Sequence, residues 1–413
     1  MLQTIIHKVR KNSYFNSLIG VISLLLKHRG HYGYANVIDL ETAKNNRVAK
    51  FTRITGEQVV KICGPTYYLN HRIEKHTEKE DKIDATYMIY IKNGIISGSS
   101  NTIILDKNNI IYNHISGPNV NYTDDIFCDY RKVYSIGPKT RYYTGNNDLL
   151  TVESAISFCI NYNYNYYHYV FECLSKFYIL EQTNLDKSIP IIIDSTAREI
   201  PQFEELLQIF NSERRQVIYL ERRQQIVISN LIAFTPTLYI PANFKDYTNI
   251  KANWIKFNPS IIDYLRNTIL KKYIIPNNDT KRIYISRNGN KLRSYNDIQI
   301  KTMTESIGFK TIFPERYTIE EQVLTFNNAN YIIAASGAAL TNIIFCRPNT
   351  TVIVLSNQKI DISIFSSIAE YLDLRMIYIV ADKSNSKSLH SDFYFNPLIL
   401  KNSIESIIAN YDK

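Results

Sequence analysis

Residues 331–348 read Tyr331-Ile-Ile-Ala-Ala-Ser-Gly-Ala-Ala-Leu-Thr-Asn-Ile-Ile-Phe-Cys-Arg-Pro348. The apolar start predicts a buried strand, the small residues from Ser336 onward predict a tight turn, and a short helix is expected after them. This helix must end near Arg347, because a proline disfavours helical geometry in the residue before it. Small side chains let an anion approach the N–H groups at a helix N-terminus. The stretch therefore predicts a phosphate or pyrophosphate site, unless Gly337 and its neighbours serve only close packing of strand and helix.

Strands and helices alternate on both sides of this stretch. From about Val152 onward, short apolar runs are separated by segments with helical spacing, a pattern typical of parallel sheets with helices on both faces. A chain of 413 residues is long enough for two domains. We predict an α/β fold with two facing doubly wound, Rossmann-like domains at 146–245 and 246–390. In such folds a ligand binds in the crevice at the carboxyl ends of the strands.

The two ends of the chain are expected to extend these domains. Residues 1–145 contain short β runs, with turn chemistry at Asn93-Gly94 and at 106–109. This pattern predicts a β-rich region of hairpins that forms part of the first lobe. The segment 391–413 has helical spacing and could pack back on the first domain.

Composition and charge limit the classes of protein to consider. The chain has 45% hydrophobic and 21% charged residues and a net charge of +10, which is ordinary for a globular protein with a modest basic excess. That excess could attract nucleotide phosphates, an anionic polymer or an anionic membrane surface. Nucleic acid is not expected as a partner, because the chain has neither zinc-finger spacing nor an RNP-like motif.

Cysteine spacing and hydropathy bear on the compartment. Five cysteines without a C-x-x-C pair argue against both a disulfide framework and a zinc site. The apolar run 18–26 is too short to cross a bilayer, and no small-residue cleavage site follows it. We therefore predict a cytoplasmic protein that could touch a membrane peripherally.

His168 and Glu172 form the first group of candidate functional residues. They lie in Asn165-Tyr-Tyr-His-Tyr-Val-Phe-Glu172, four residues apart near the expected start of a helix, so they share one helix face. A carboxylate beside an imidazole can fix its tautomer and suits acid–base chemistry near neutral pH. The alternative is an ordinary structural pair.

Basic residues form the second group. Arg287 ends an apolar strand and should point into the crevice, with Arg293 and Asn296 on the following loop. A guanidinium group can grip two phosphate oxygens at once; the alternative is a solvated basic loop. No D-x-D carboxylate pair appears anywhere in the chain. Arginines and helix N-termini would therefore have to meet the phosphate charge, and no metal is expected.

A third group follows the next strand. Thr318 and Glu321 have the spacing of a capping box at the start of a helix, which is a structural role. Glu315, in the loop before them, remains available to accept hydrogen bonds from a ribose or sugar hydroxyl.

Taken in order, four motifs resemble the glycosyltransferase 61 family, also described as the DUF563 domain. They are N-Y-Y-H-Y-x-x-E, R-I-Y-I-S-R with a downstream Arg and Asn, P-E-x-x-T-x-x-E-Q, and S-G-A-A-L-T-N-x-x-F-x-x-P, over roughly residues 150–360. The resemblance implies a GT-B fold and inverting, metal-independent transfer of a sugar from a nucleotide-sugar donor to a glycan or glycoprotein acceptor, without a cofactor. The residues carried over are Asn165, Tyr166, His168, Glu172, Arg287, Arg293, Asn296, Glu315, Gln322, Ser336, Gly337, Ala338 and Asn342. The chain departs from the family at Ser336, where His is frequent, and at Val354, where Glu is frequent.

These motifs lead to predicted roles. The second domain would bind the donor, with its pyrophosphate on the N–H groups of residues 336–338 and on Arg287, assisted by Arg293. The first domain would hold the acceptor. His168 would act as the base or would protonate the leaving phosphate, with Glu172 orienting it; Glu172 as the base is the alternative. Two other classes stay open: a non-catalytic carbohydrate-binding or scaffold protein that retains the fold, and a binder of an anionic polymer.

Overall fold

The computed structural model describes residues 32–38, 40–75, 78–106, 109–112, 132–136, 139–143, 149–239, 256–276, 281–287, 293–359, 364–384 and 391–412. This part of the chain forms a mixed α/β structure with parallel and antiparallel strands. The apolar run 18–26 lies outside the described residues. None of the described helices is both long enough and apolar enough to cross a bilayer. Cys63, Cys159, Cys173 and Cys346 are buried free thiols.

The secondary-structure elements of the described residues are named here in chain order. The strands are β1 (Tyr32–Ile38), β2 (Lys50–Arg53), β3 (Gln58–Cys63), β4 (Thr66–Leu69), β5 (Arg72–Glu74), β6 (Glu78–Ile83), β7 (Tyr87–Ser97), β8 (Thr102–Ile104), β9 (Asn109–Tyr112), β10 (Lys132–Ile136), β11 (Lys139–Tyr143), β12 (Leu150–Ser157), β13 (Ile191–Asp194), β14 (Val217–Leu220), β15 (Gln225–Phe234), β16 (Leu238–Tyr239), β17 (Lys256–Phe257), β18 (Lys281–Ile285), β19 (Lys310–Ile312), β20 (Ala329–Ala335), β21 (Thr351–Ser356), β22 (Arg375–Val380), β23 (Lys383–Ser384) and β24 (Phe393–Tyr394). The α-helices are α1 (Leu40–Asn45), α2 (Tyr166–His168), α3 (Lys176–Leu180), α4 (Thr196–Glu199), α5 (Pro201–Phe210), α6 (Pro259–Leu270), α7 (Asp297–Ser306), α8 (Ile319–Asn327), α9 (Ile364–Tyr371) and α10 (Pro397–Tyr411). A π-helical segment, Tyr169–Leu174, lies between α2 and α3, and 3₁₀ helices span Pro314–Arg316 and Ala338–Phe345.

The larger sheet combines the β-rich N-terminal region with the first unit of alternating strands and helices, which runs from β12 to β15. Its strand order is β10-β11-β1-β9-β8-β7-β15-β12-β13-β14, with β2 paired to β7. The strands β15, β12, β13 and β14 are parallel to one another, whereas β7 runs antiparallel to β15. The first unit therefore has a short parallel sheet that the N-terminal strands extend.

The dipeptide Asn93-Gly94 corrects one turn prediction. It lies inside β7 rather than between two strands. A Cβ atom added at Gly94 would lie 2.6 Å from Cδ2 of Leu231 on β15, so the glycine allows two paired strands to approach closely. The predicted turn at 106–109 falls between β8 and β9, which do form an antiparallel pair.

The second sheet is built mainly from the second unit of alternating strands and helices, which runs from β18 to β22. Its order is β19-β18-β20-β21-β22-β4-β5, and its neighbours are parallel from β19 to β4. Every residue of β21 is buried, as expected for a parallel strand covered on both faces. The outer strands β4 and β5 come from the N-terminal region, so that region contributes to both sheets and not only to the first lobe.

Helix α10 covers one face of the second sheet. Its buried residues Leu400, Ile404 and Ile407 lie in one cluster with Tyr284 of β18 and Ile333 of β20, and α10 also contacts α7. The sequence suggested packing on the first domain. The buried face of α10 instead packs on the sheet of the second unit.

The two sheets share a core on the side that carries the candidate site. One cluster of buried apolar residues takes side chains from both units, including α5 and α8. Gln202, in α5, donates hydrogen bonds to the backbone oxygens of Glu315 and Tyr317 at 3.1 and 2.9 Å. Helix α2 lies against the 3₁₀ helix Ala338–Phe345. This packing brings sequence motifs from the two units into contact.

Candidate functional site

Two arginines meet the bend after β20. Because β18 and β20 are parallel neighbours with Ile285 opposite Ala334, the residues that follow them leave the sheet side by side. Nη1 of Arg293 donates a hydrogen bond to the backbone oxygen of Ser336 at 3.2 Å. A Cβ atom added at Gly337 would lie 3.6 Å from Nη2 of Arg287. The predicted association of Arg287 and Arg293 with the serine–glycine bend is therefore present.

Both guanidinium groups are short of partners. Nη1 of Arg287 and Nε of Arg293 are buried, and no described residue offers either of them a hydrogen bond. Burial lowers the pKa of Arg287. Burial and the neighbouring charge of Arg287 lower the pKa of Arg293 to about 10. Two desolvated positive charges beside each other favour a bound anion, because it would supply both the missing acceptors and the countercharge.

The backbone of the bend corrects one of the N–H groups that were predicted to bind phosphate. The N–H group of Ser336 donates to the backbone oxygen of Leu355 at 3.0 Å, so it continues the sheet and is not available to a phosphate. Gly337 has φ 170°, which is extended backbone that any residue adopts. Backbone conformation therefore does not require a glycine here, and a Cβ atom would meet Arg287 only at ordinary contact distance.

The carboxylate of Asp297 holds the end of β18 next to Arg287. Asp297 was not among the predicted site residues. Its carboxylate accepts hydrogen bonds from the hydroxyl groups of Ser286, at 2.6 Å, and Tyr284. It also accepts the backbone N–H of Arg287 at 3.4 Å. The sequence signal was an acidic residue at the first position of a helix, which is too common to single out a function.

His168 and Glu172 form the expected pair. Nδ1 of His168 lies 2.8 Å from Oε1 of Glu172, with side-chain exposures of 23% and 8%. His168 ends α2, and Glu172 lies in the π-helical segment that follows; such segments are rare and are found frequently at functional sites. With Nδ1 held by the carboxylate, Nε2 is the ring nitrogen that a substrate can reach.

A chain of hydrogen bonds connects the first motif to the last two. The hydroxyl of Tyr166 donates to Oδ1 of Asn342 at 2.9 Å, and Nδ2 of Asn342 donates to Oε1 of Gln322 at 2.7 Å. Nε2 of Gln322 donates in turn to the backbone oxygen of Tyr317 at 3.2 Å. These three predicted binding residues hold one another and so set the position of α2 relative to the bend.

Two of the remaining predicted residues, Asn165 and Asn296, have structural partners. Asn165 caps α2, because its Oδ1 accepts the N–H of Tyr167 at 3.0 Å. Asn296 exchanges hydrogen bonds with the backbone of Phe395, as donor at 2.9 Å and as acceptor at 3.1 Å. Glu315 is exposed. The structure thus brings Arg287, Arg293 and residues 336–338 together, whereas Asn165 and Asn296 serve local structure.

Two buried charges near the His–Glu pair were missed by the sequence analysis. Asp194, at the end of β13, accepts the N–H groups of Ser99 and Ile160, and Nζ of Lys176 donates to the backbone oxygen of Cys159 at 3.2 Å. Burial raises the pKa of the Asp194 carboxyl to about 7 and lowers the pKa of Lys176. Both residues fasten the loop that leads into α2. The available signal was a charged residue at the end of an otherwise apolar strand.

A carboxylate–thiol cluster lies on β3, β6 and α9. Cys63, Glu78 and Glu370 are the one group of described residues whose potential ligand atoms lie close enough to hold a metal ion. Lys61 already lies between the two carboxylates, at 2.9 Å from Glu78 and 3.2 Å from Glu370. Burial raises the pKa of the Cys63 thiol to about 11. This arrangement is that of a compensated ion-pair network.

Comparison with known proteins agrees with the motifs. The family model described as Glycosyltransferase 61 matches residues 161–353. This part of the chain is similar to the glycosyltransferase 61 family. The matched range contains the His–Glu pair, both arginines and the bend. The similarity indicates a glycosyltransferase, a class of enzyme that in general terms uses a nucleotide-sugar donor and a glycan acceptor. The search of curated proteins found no match to this chain.

Proposed function

We propose that this protein is an inverting, metal-independent glycosyltransferase that moves a sugar from a nucleoside diphosphate sugar to a hydroxyl group of a glycan or protein-linked acceptor. Its architecture would be GT-B-like, with Rossmann-like domains at 146–245 and 246–390. One observation carries the proposal: two buried guanidinium groups, those of Arg287 and Arg293, lie beside Gly337 without a described partner for every N–H group.

The donor would bind through its diphosphate. Arg287 would grip phosphate oxygens next to Gly337, where the absence of a side chain leaves room, and Arg293, which is bonded to the backbone oxygen of Ser336, would assist. The leaving nucleoside diphosphate gains negative charge as the glycosidic bond breaks, and fixed cations stabilise that charge most in the transition state. Arginines supply this charge permanently, since they stay protonated at neutral pH. No metal or cofactor is therefore required in this proposal.

The transfer would be a single displacement at the anomeric carbon. The acceptor oxygen forms a bond to that carbon, the bond from carbon to the phosphate oxygen breaks, and its electron pair leaves with the nucleoside diphosphate. Nε2 of His168 takes the proton from the acceptor hydroxyl, and Glu172, held at 2.8 Å, stabilises the imidazolium ion that forms. In the alternative assignment, Glu172 itself takes the proton from the acceptor hydroxyl group.

The test is a donor hydrolysis and transfer screen with UDP-, GDP- and CMP-sugars, run with EDTA. We expect the wild-type protein to cleave one nucleoside diphosphate sugar with EDTA present. His168→Ala should lower the rate by about 100-fold or more while the protein stays folded. Arg287→Ala should weaken nucleotide binding.

A matched control is available on the same strand. Arg282 lies on β18 but faces Asp412 at 3.4 Å, so Arg282→Ala should leave nucleotide affinity unchanged. Failure of the wild type to cleave any donor, or equal affinity in Arg287→Ala and wild type, would overturn the proposal. Activity that EDTA abolishes and a divalent cation restores would overturn its metal-independent part.

A further inference from the structure

Two tyrosine rings extend outward from His168 and have no role in the site described above: Tyr162 packs against the imidazole, and Tyr164 contacts Tyr162. The ring centroids of Tyr162 and His168 are 5.2 Å apart with an interplanar angle of 30°. The ring of Tyr164 stands at 71° to that of Tyr162, with 6.4 Å between centroids. Tyr164 is 55% exposed. The imidazole is therefore the inner end of an aromatic surface that opens to solvent.

The backbone under these rings is tightly turned. Tyr162 has φ 55°, in the left-handed region that side chains other than glycine, asparagine and aspartate rarely occupy. The N–H group of Asn165 donates to the backbone oxygen of Tyr162 at 2.8 Å, which closes the turn immediately before α2. Such backbone strain persists only where the surrounding structure holds it.

The loop is also held from two sides. Nδ2 of Asn163, between the two tyrosines, donates to Oγ of Ser99 at 3.0 Å. Asp194 accepts the N–H of Ile160 at 3.0 Å. A loop fixed in this way keeps the two rings in place relative to His168, so that little conformational entropy is lost when a ligand contacts them.

We propose that Tyr162 and Tyr164 form the subsite for the acceptor sugar; this rests on the proposed transferase function. The C–H face of a pyranose ring is apolar and its rim carries hydroxyl groups, so it fits an aromatic ring that has an apolar face and a polar tip. The imidazole takes one face of the Tyr162 ring, so the sugar would pack on Tyr164 and on the edge of Tyr162, with its reacting hydroxyl group on the side of Nε2 of His168. The donor, in contrast, is held at Arg287 and Gly337. The acceptor is therefore a glycan, recognised by the ring of its terminal sugar.

The kinetic test compares acceptor and donor parameters in one assay. Tyr164→Ala and Tyr162→Ala should raise the KM for the acceptor by about tenfold. In Tyr164→Ala, whose ring does not pack on His168, donor hydrolysis in the absence of acceptor should stay unchanged. Tyr164→Phe should behave like wild type, because it keeps the ring. The control is Tyr394→Ala, which removes an exposed tyrosine on β24, at 39% exposure.

A second measurement does not depend on transfer. Saturation-transfer difference NMR with methyl glycosides of glucose, galactose, mannose, xylose and N-acetylglucosamine should show binding to wild type and to Tyr394→Ala, and loss of binding in Tyr164→Ala. Unchanged acceptor KM and unchanged glycoside binding in both alanine variants would overturn the subsite while the transferase function stands. A change in donor affinity alone would also overturn it, since the rings would then contact the nucleobase. A wild type that binds glycosides at these tyrosines but cleaves no donor would support the subsite and contradict the transferase.

Discussion

The hydroxyl group of Tyr166 donates a hydrogen bond to Oδ1 of Asn342 at 2.9 Å, and this bond joins helix α2, which follows β12 of the larger sheet, to the 3₁₀ helix that follows β20 of the second sheet. Tyr166 opens the helix that ends in His168, and Asn342 lies in the 3₁₀ helix after the bend at Gly337. The bond therefore sets the distance between the candidate base and the candidate phosphate site. Asn342 is itself held by Gln322 at 2.7 Å.

Removing the Tyr166 hydroxyl should destabilise the protein. Tyr166→Phe leaves the buried Oδ1 of Asn342 without this donor, and such a loss costs about 1–3 kcal/mol. Urea unfolding measures the change in the free energy of unfolding. Tyr371→Phe is the control, because its hydroxyl bonds Asp263 at 2.6 Å near the surface, where water replaces the lost partner. Equal stability in Tyr166→Phe and wild type would contradict the structural role of the bond.

Substitutions at Gly337 should act on nucleotide binding in order of size. A Cβ atom at this position meets Arg287 only at ordinary contact distance, 3.6 Å, so Gly337→Ala should fold normally and weaken nucleotide binding slightly. Gly337→Val fills the space in front of the guanidinium and should weaken binding by at least about tenfold. Calorimetric titration with UDP and GDP measures both variants, with thermal unfolding as the control for folding. Wild-type affinity in Gly337→Val would place the phosphate elsewhere.

Asp194 should make stability depend on pH. Burial raises the pKa of its carboxyl from 3.8 to about 7, so between these values the folded protein keeps a proton that the unfolded chain has released. Stability therefore falls as the pH rises through this window, by at most about 1.4 kcal/mol per pH unit from this group. Urea unfolding of wild type and Asp194→Asn at pH 5, 6 and 7 isolates the contribution.

The variant is expected to lose less stability than wild type between pH 5 and 7, whatever its absolute stability. Asp186→Asn is the control, because hydrogen bonds from Ser188 lower the pKa of Asp186 and it does not titrate in this range. Parallel pH dependence in Asp194→Asn and wild type would show that the buried carboxyl keeps its charge throughout.

Helix α10 should be necessary for the stability of the second unit. Ile404 is fully buried against the sheet, so Ile404→Ala should cost about 2–5 kcal/mol and Ile404→Val about 0.5–1.5 kcal/mol. Guanidinium unfolding gives both values. A loss below about 0.5 kcal/mol in Ile404→Ala would mean that α10 does not pack as described.

The sequence was informative where local pattern determines structure. The apolar run that begins at Tyr331 predicted a strand, found as Ala329–Ala335, and the spacing of Thr318 and Glu321 predicted a capping box, whose two reciprocal hydrogen bonds are present. The meeting of Arg287 with the bend followed from topology, because the carboxyl ends of neighbouring parallel strands lie at the same edge of a sheet.

Other features depend on tertiary contacts that no local pattern contains. Asn93-Gly94 has the composition of a hairpin turn. In the structure it lies within β7, and Gly94 leaves room for the side chain of Leu231 on the paired strand β15. Ser336 begins a stretch of small residues that is typical of a phosphate-binding turn. Its N–H group, however, donates to the backbone oxygen of Leu355, a partner that only the register of the sheet reveals. The buried pair Asp194 and Lys176 is recognisable only once the loops above the sheet are in place.

Strand β4, in the second sheet, has a consequence for how the chain matures. Cys63, just before β4, exchanges hydrogen bonds with Ser367 on α9, a residue 304 positions later. On the ribosome, this early segment must wait unpaired until nearly the whole polypeptide has emerged, and such distant pairing slows folding. A recombinant fragment that starts at residue 150 would leave the open edge of β22 exposed to other chains, and it would be a poor choice for crystallisation.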